Sequence, residues 1–187
     1  MVINRTKNAI NGTVSGVVLK ILQILFPFII RTIFIKTLGV EYLGLNSLFT
    51  SILQVLNLAE LGVSSALVFS MYKPIVEDNT ETICALMNLY KKYYRIIGLV
   101  VLLAGIIVLP FLPLLINGNT PQDVNLYIIY LMSLAATVLS YWLFAYKGSL
   151  FSAHQRNDII SLITICVSLI TYIVQIFSIV LFKNYYF

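Results

Sequence analysis

The chain is 187 residues long, 60% hydrophobic and 10% charged, with a formal net charge of +5 and a mean hydropathy of +0.96. A water-soluble domain carries about 25% charged residues, so this composition excludes one and places the chain in a bilayer. The positive charge is not a nucleic-acid signature, because the basic residues sit between long apolar blocks, where membrane orientation accounts for them.

In hydrocarbon the backbone amides must be satisfied inside a helix or a closed barrel. The apolar blocks are too long and continuous for the short alternating strands of a barrel. The expected fold is therefore all-α: a polytopic transmembrane bundle of about five helices. The first is expected at about Val14 to Ile35 and the second, which is longer, at about Leu43 to Met71. The others are expected at about Tyr94 to Ile116, Leu126 to Tyr146 and Ile159 to Phe182. Each has near the ~20 residues that a span needs. No A-x-A-like cleavage site follows the first block, which reads as a retained span.

With the N-terminus inside, the inner segments hold Arg5, Lys7, Lys73, Lys91, Lys92, Arg95, Lys147 and Arg156. The outer segments hold only Lys36 and Lys183, an asymmetry that predicts a cytoplasmic N-terminus. In the inner segment after helix 2, Pro74 is expected to stop the helix, and Asp78 and Glu81 have capping-box spacing. Ile83, Leu86, Met87 and Tyr90 then recur at helical spacing, so helix 3 is expected to start near Glu81. From Ile96 to Leu109 it has no polar side chain and should meet lipid broadly.

Several spans are lopsided. In helix 1, Lys20, Gln23, Pro27 and Arg31 share one narrow face. Pro27 also frees the carbonyl of Gln23. In helix 2, Asn46, Thr50, Gln54, Asn57, Glu60 and Ser64 follow one another on a face interrupted by Leu53 and Leu61. Helix 5 carries Ser161, Thr164, Ser168, Thr171, Gln175 and Ser178 along one side; helix 4 carries Tyr130, Ser133, Thr137 and Ser140. Small and hydroxylated stripes are the ordinary packing surface between membrane helices, which is the reading for helices 4 and 5. Helices 1 and 2 differ because a charge at mid-bilayer costs about 2.5–3.5 kcal/mol. Lys20 and Arg31 can snorkel to opposite surfaces. Glu60 is too short to do so and should face a wet cavity or pair with Lys20 or Arg31. The candidate cavity-facing, substrate-binding residues are thus Lys20, Gln23, Arg31, Gln54, Asn57 and Glu60. Cations in such a chamber suit an anionic head group, since arginine holds phosphate strongly and with defined geometry.

No phosphate-binding loop, paired carboxylates, nucleophile elbow or Cys/His cluster is present, so nothing recommends an enzyme, a cofactor or a metal. Cys84 and Cys166 have no disulfide or metal spacing. His154, the sole histidine, reads as a solvated loop residue.

From Arg31 to Ile75 the sequence runs RTIFIKTLGVEYLGLNSLFTSILQVLNLAELGVSSALVFSMYKPI. This resembles the opening of bacterial polysaccharide-biosynthesis membrane proteins, the Wzx-type flippases of the multidrug/oligosaccharidyl-lipid/polysaccharide exporter superfamily. The resemblance is carried by the turn Leu38 to Gly44, the run Leu58-Ala59-Glu60-Leu61-Gly62 and the exit Tyr72-Lys73-Pro74. It is carried further by Phe151-Ser152-Ala153-His154-Gln155-Arg156, which is similar to the family's inner loop. It implies a bacterial plasma-membrane protein that moves a polyprenyl-diphosphate-linked oligosaccharide from the inner to the outer leaflet. Its partners would be the lipid bilayer, that glycolipid, a glycan polymerase and other assembly proteins, with no nucleic acid. Alternatives are an exporter of small amphipathic molecules and a non-transport subunit of a glycan-assembly complex. The family has twelve to fourteen helices in two six-helix bundles, so the resemblance implies an incomplete first bundle, five helices of six.

Overall fold

The computed structural model describes residues 5–60, 62–116 and 125–182. Lys183, the terminal run Asn184 to Phe187 and Leu61 lie outside the described residues. Everything regular in the described residues is helical: α1 (Arg5–Thr37), α2 (Val40–Leu56), α3 (Val63–Val76), α4 (Thr80–Val108), α5 (Leu112–Leu115), α6 (Leu126–Ser140), α7 (Tyr146–Ala153) and α8 (Asn157–Phe182). The protein is a multi-pass membrane protein. Four stretches are long and apolar enough to cross a bilayer, at Gly12–Thr37, Thr80–Leu115, Leu126–Ala153 and Asn157–Ile179.

The second expected span departs from expectation. Instead of one helix from Leu43 to Met71, α2 passes into a 3₁₀ turn at Asn57–Glu60, and α3 restarts after Gly62. Gly62 has φ +85°, a left-handed conformation in which a side chain is strained. The two halves still run alongside α4 in reverse order. Tyr90 meets Leu67 and Ser70, Tyr94 meets Glu60, and near Gly105 the packing is with Tyr130, which itself packs on Phe49. The interrupted pair therefore covers the same depth as α4.

Pro74 does not end its helix: α3 continues to Val76 with Pro74 buried in its last turn. Asp78 then takes φ +50°. The Asn79 amide donates to the Pro74 carbonyl at 2.9 Å and the Asp78 amide to that of Ile75 at 3.3 Å, the paired bonds of a Schellman ending. This corrects the expected cap. Asp78 closes α3, and the side chain of Asn79 accepts from the Thr82 amide at 3.0 Å to open α4 at Thr80. The α7–α8 turn repeats the device. Gln155 has φ +57°, with Arg156 donating to Phe151 and Gln155 to Ser152. His154 is not a free loop residue; it is half-buried, with Nδ1 at 2.9 Å from the Leu150 carbonyl oxygen.

The core lies within α2 to α7, where Phe49, Met71, Tyr94, Leu112, Tyr130 and Leu134 are almost wholly enclosed. Close approach of α4 to the α6–α7 span rests on two glycines. The Trp142 indole lies where a side chain on Gly98 would project, and Leu134 does the same at Gly105. As expected, the opposite face of α4 (Ile96, Leu99, Val100, Leu103, Ile107) is open to lipid. The Ser/Thr stripes are largely self-satisfied. Thr164 and Thr171 donate to carbonyls four residues back on α8, and Ser133 and Thr137 do so on α6.

Outside this core, α1 packs most extensively on α8. Gly12 approaches Asp158, and Phe26 stacks on Tyr172 at 5.0 Å, the same number of residues further along both helices. The pair therefore runs parallel and in register, standing beside the core.

Candidate functional site

Two cavities among the described residues bear on the candidate side chains. The first is a cleft of about 590 Å³ where the α1/α8 pair meets α2 and α6. Its α1 wall presents Pro27 and Arg31, α2 presents Asn46, Thr50 and Gln54, and α8 presents Tyr172 and Gln175. Ile129, Leu43 and Ile179 complete an apolar side. Arg31 is exposed into this space. Thr50 donates to the Asn46 carbonyl at 2.8 Å and Ser51 to that of Ser47 at 2.9 Å, so these hydroxyls still offer lone pairs to a ligand. Lys20 and Gln23 are exposed and do not line either cavity, but they stand on the same face of α1 as Pro27 and Arg31.

The second cavity, about 630 Å³, lies at the break between α2 and α3. Asn57, Glu60, Ser64 and Ser65 form its polar side, and Val68, Phe69 and Tyr72 its apolar side. The helix geometry explains why Asn57 and Glu60 are here rather than in line with Gln54. A 3₁₀ turn advances 120° per residue instead of 100°, so four residues rotate the face by about 80°. The left-handed Gly62 then turns the chain again.

Glu60 does not pair with Lys20 or Arg31. The Tyr94 hydroxyl donates to its Oε1 at 2.8 Å. Beside this contact the Tyr141 hydroxyl donates to Asn57 Oδ1 at 2.9 Å, and the two tyrosine rings stack with centroids 6.2 Å apart. Tyr141 opens a single π-turn, Tyr141–Ala145, in the α6–α7 span. Such turns occur often at functional sites. The expected single chamber is thus two, with Arg31 and Gln54 in one and Asn57 and Glu60 in the other.

Comparison with known protein families, curated proteins and solved structures returns no match. Among the described residues there is no group of three His, Cys, Asp or Glu side chains able to hold a metal. Sequence reasoning missed Tyr94, Tyr141 and Tyr172. The available signal was a tyrosine inside, or at the edge of, an apolar span, where its hydroxyl needs a partner.

Proposed function

We propose that the α1/α2/α8 cleft receives the anionic head of a lipid-linked saccharide, and that the chain serves its passage from the inner to the outer leaflet of a bacterial plasma membrane. In this reading the N-terminus is cytoplasmic, and the work is transport without covalent chemistry. The observation that carries it is Arg31, a guanidinium in a cleft otherwise lined by amides, hydroxyls and apolar side chains. A guanidinium binds phosphate oxygens through two parallel hydrogen bonds. Gln54, Gln175 and Asn46 suit sugar hydroxyls, because an amide both donates and accepts. The volume lies within the range of small-ligand sites, and the exposed apolar faces of α1 and α8 leave a prenyl tail in lipid.

Site-directed photocrosslinking tests this reading. A benzophenone side chain is placed at Gln54 or at Phe177, which is 61% exposed on α8. Membranes are then charged with radiolabelled polyprenyl-diphosphate oligosaccharide. The proposal predicts labelling of the head group from position 54 and not from 177. Equal labelling from both positions contradicts it. A second reading, export of small amphipathic molecules, draws on the apolar side of the cleft, Ile129, Leu43 and Ile179. It predicts that such compounds displace the crosslink from position 54.

A further inference from the structure

One end of the packing between α4 and the α6–α7 span carries charge that neither cavity uses. Lys91, Arg95 and Gly98 follow one another at spacings of four and three, so they share one flank of α4. The Trp142 indole lies on Gly98, and its Nε1 donates to the Arg95 carbonyl at 3.3 Å. The Arg95 side chain is exposed and Lys91 is half-buried. Leu99, one turn after Arg95, and Leu139, one turn before Trp142, continue the same flank on each helix and are open to lipid.

A third cation reaches this flank through the π-turn. Lys147 follows Trp142 by a spacing that in an unbroken α-helix sets two side chains about 140° apart. The π-turn Tyr141–Ala145 takes up one extra residue, about 100°, and leaves the two about 40° apart. The Lys147 Nζ rests 5.8 Å from the Tyr146 ring centroid and 5.9 Å from that of Phe144. The ion pairs among the described residues, Lys73–Glu77 and Arg156–Asp158, engage none of these three cations. Glu81, the carboxylate of α4, stands about 15 Å before Lys91 along the helix axis. Beyond Arg95, α4 has no polar side chain as far as Leu109, so the cations stand where the hydrocarbon ends. Trp142 stands at the same boundary, the level at which an amphipathic indole is at home.

We propose that this groove binds an anionic glycerophospholipid of the surrounding bilayer. Its phosphate lies among Lys91, Arg95 and Lys147, and its acyl chains lie along Leu99 and Leu139 against the Trp142 indole. Charge complementarity selects the occupant. Three cations at a hydrocarbon boundary match a phosphodiester, and the arginine fork fits two of its oxygens. Basic pockets between spanning helices hold anionic head groups in this way. A zwitterionic lipid brings its own ammonium into the cluster and suits it less. A general excess of cations at one membrane face does not turn Lys147 towards α4; the π-turn does. The site is separate from the cleft and does not depend on what the cleft carries.

Trp142 is the sole tryptophan and is 38% exposed, so it reports on the groove. The full chain is placed in phosphatidylcholine bilayers containing increasing fractions of phosphatidylglycerol or phosphatidylcholine with dibrominated acyl chains, which quench an indole on contact. The quenching gives the association constant of each lipid relative to the other. Phosphatidylglycerol should be preferred at least ~5-fold, the effect of one cation near a charged surface. R95Q/K147Q should bring the ratio below ~2. K36Q/K73Q, which removes the same charge from α1 and α3, should leave it unchanged. Inorganic phosphate at constant ionic strength should not displace the lipid. Size-exclusion profile and circular dichroism establish that each variant is folded. Equal quenching by the two lipids in the folded wild-type chain overturns the proposal. A preference that survives in R95Q/K147Q, or that falls as far in K36Q/K73Q, also overturns it. Displacement by inorganic phosphate overturns the assignment to a lipid.

Discussion

Gly105 and Leu134 offer a quantitative test of the packing that holds the core together. A methyl group on Gly105 would project to 2.5 Å and 2.6 Å from the two Leu134 Cδ atoms, far inside van der Waals contact. Leu134 is 0% exposed, so moving its Cδ atoms aside disturbs the neighbours packed around it. G105A should therefore destabilise the bundle by about 1–3 kcal/mol, the usual cost of overpacking. L134A removes the obstructing side chain and leaves a cavity, which costs about 2–5 kcal/mol. The double variant is the informative one. Its new methyl enters the space that Leu134 vacated, so its loss should fall below the sum of the two single losses by at least ~1 kcal/mol. Reversible unfolding in mixed micelles, followed by Trp142 emission, measures all three. Strict additivity would refute the claim that α4 and α6 touch at this point.

Gly62 and Gly16 should respond oppositely to alanine. G62A forces a side chain into φ +85° and should cost about 1–2 kcal/mol. G16A adds a methyl with nothing within 4 Å, inside α1, and should be neutral or stabilising by up to about 1 kcal/mol in the same unfolding measurement. Cys84 and Cys166 are both exposed in the protein, one near the start of α4 and the other midway along α8. Cys84 stands in the second turn of α4, so with the proposed cytoplasmic N-terminus a membrane-impermeant maleimide should modify it in vesicles whose inner face is outward. Cys166, midway along α8, should stay unmodified from either side until detergent is added. Rapid aqueous labelling of Cys166 in intact vesicles would contradict the span assigned to α8.

The features legible in the sequence were those that repeat or punctuate. Continuous apolar runs located four long helices. The Leu38-Gly39 turn was visible because Gly39 can take φ +102° between two helices. The start of α4 was legible to within one residue, although Asn79 rather than Asp78 caps it, because two candidate caps adjoin and the Schellman ending of α3 claims the first. The break at residues 57–62 was not legible. Its single turn changes the helical advance without changing the apolar pattern, so Asn57 and Glu60 read as in line with Gln54 when they are turned into another cavity. Glu60 was recognised from its cost in hydrocarbon, yet its partner was sought among cations. Its actual partner, Tyr94, lies on α4, 34 residues away in sequence, and a contact between distant segments has no local signature.

On the proposed function, Arg31 makes the α1/α2/α8 cleft selective for a diphosphate head. Equilibrium binding to the chain in nanodiscs, measured with a polyprenyl-diphosphate oligosaccharide and with its uncharged polyprenyl-alcohol counterpart, tests it most directly. The diphosphate should bind more tightly. R31A should erase most of that preference through an affinity loss of about 10- to 150-fold, the equivalent of about 1.5–3 kcal/mol for hydrogen bonds to a charged group. R31K should recover only part of it, because an ammonium lacks the planar fork. Equal affinity for the charged and uncharged lipids, or a diphosphate preference that survives intact in R31A, would contradict the account.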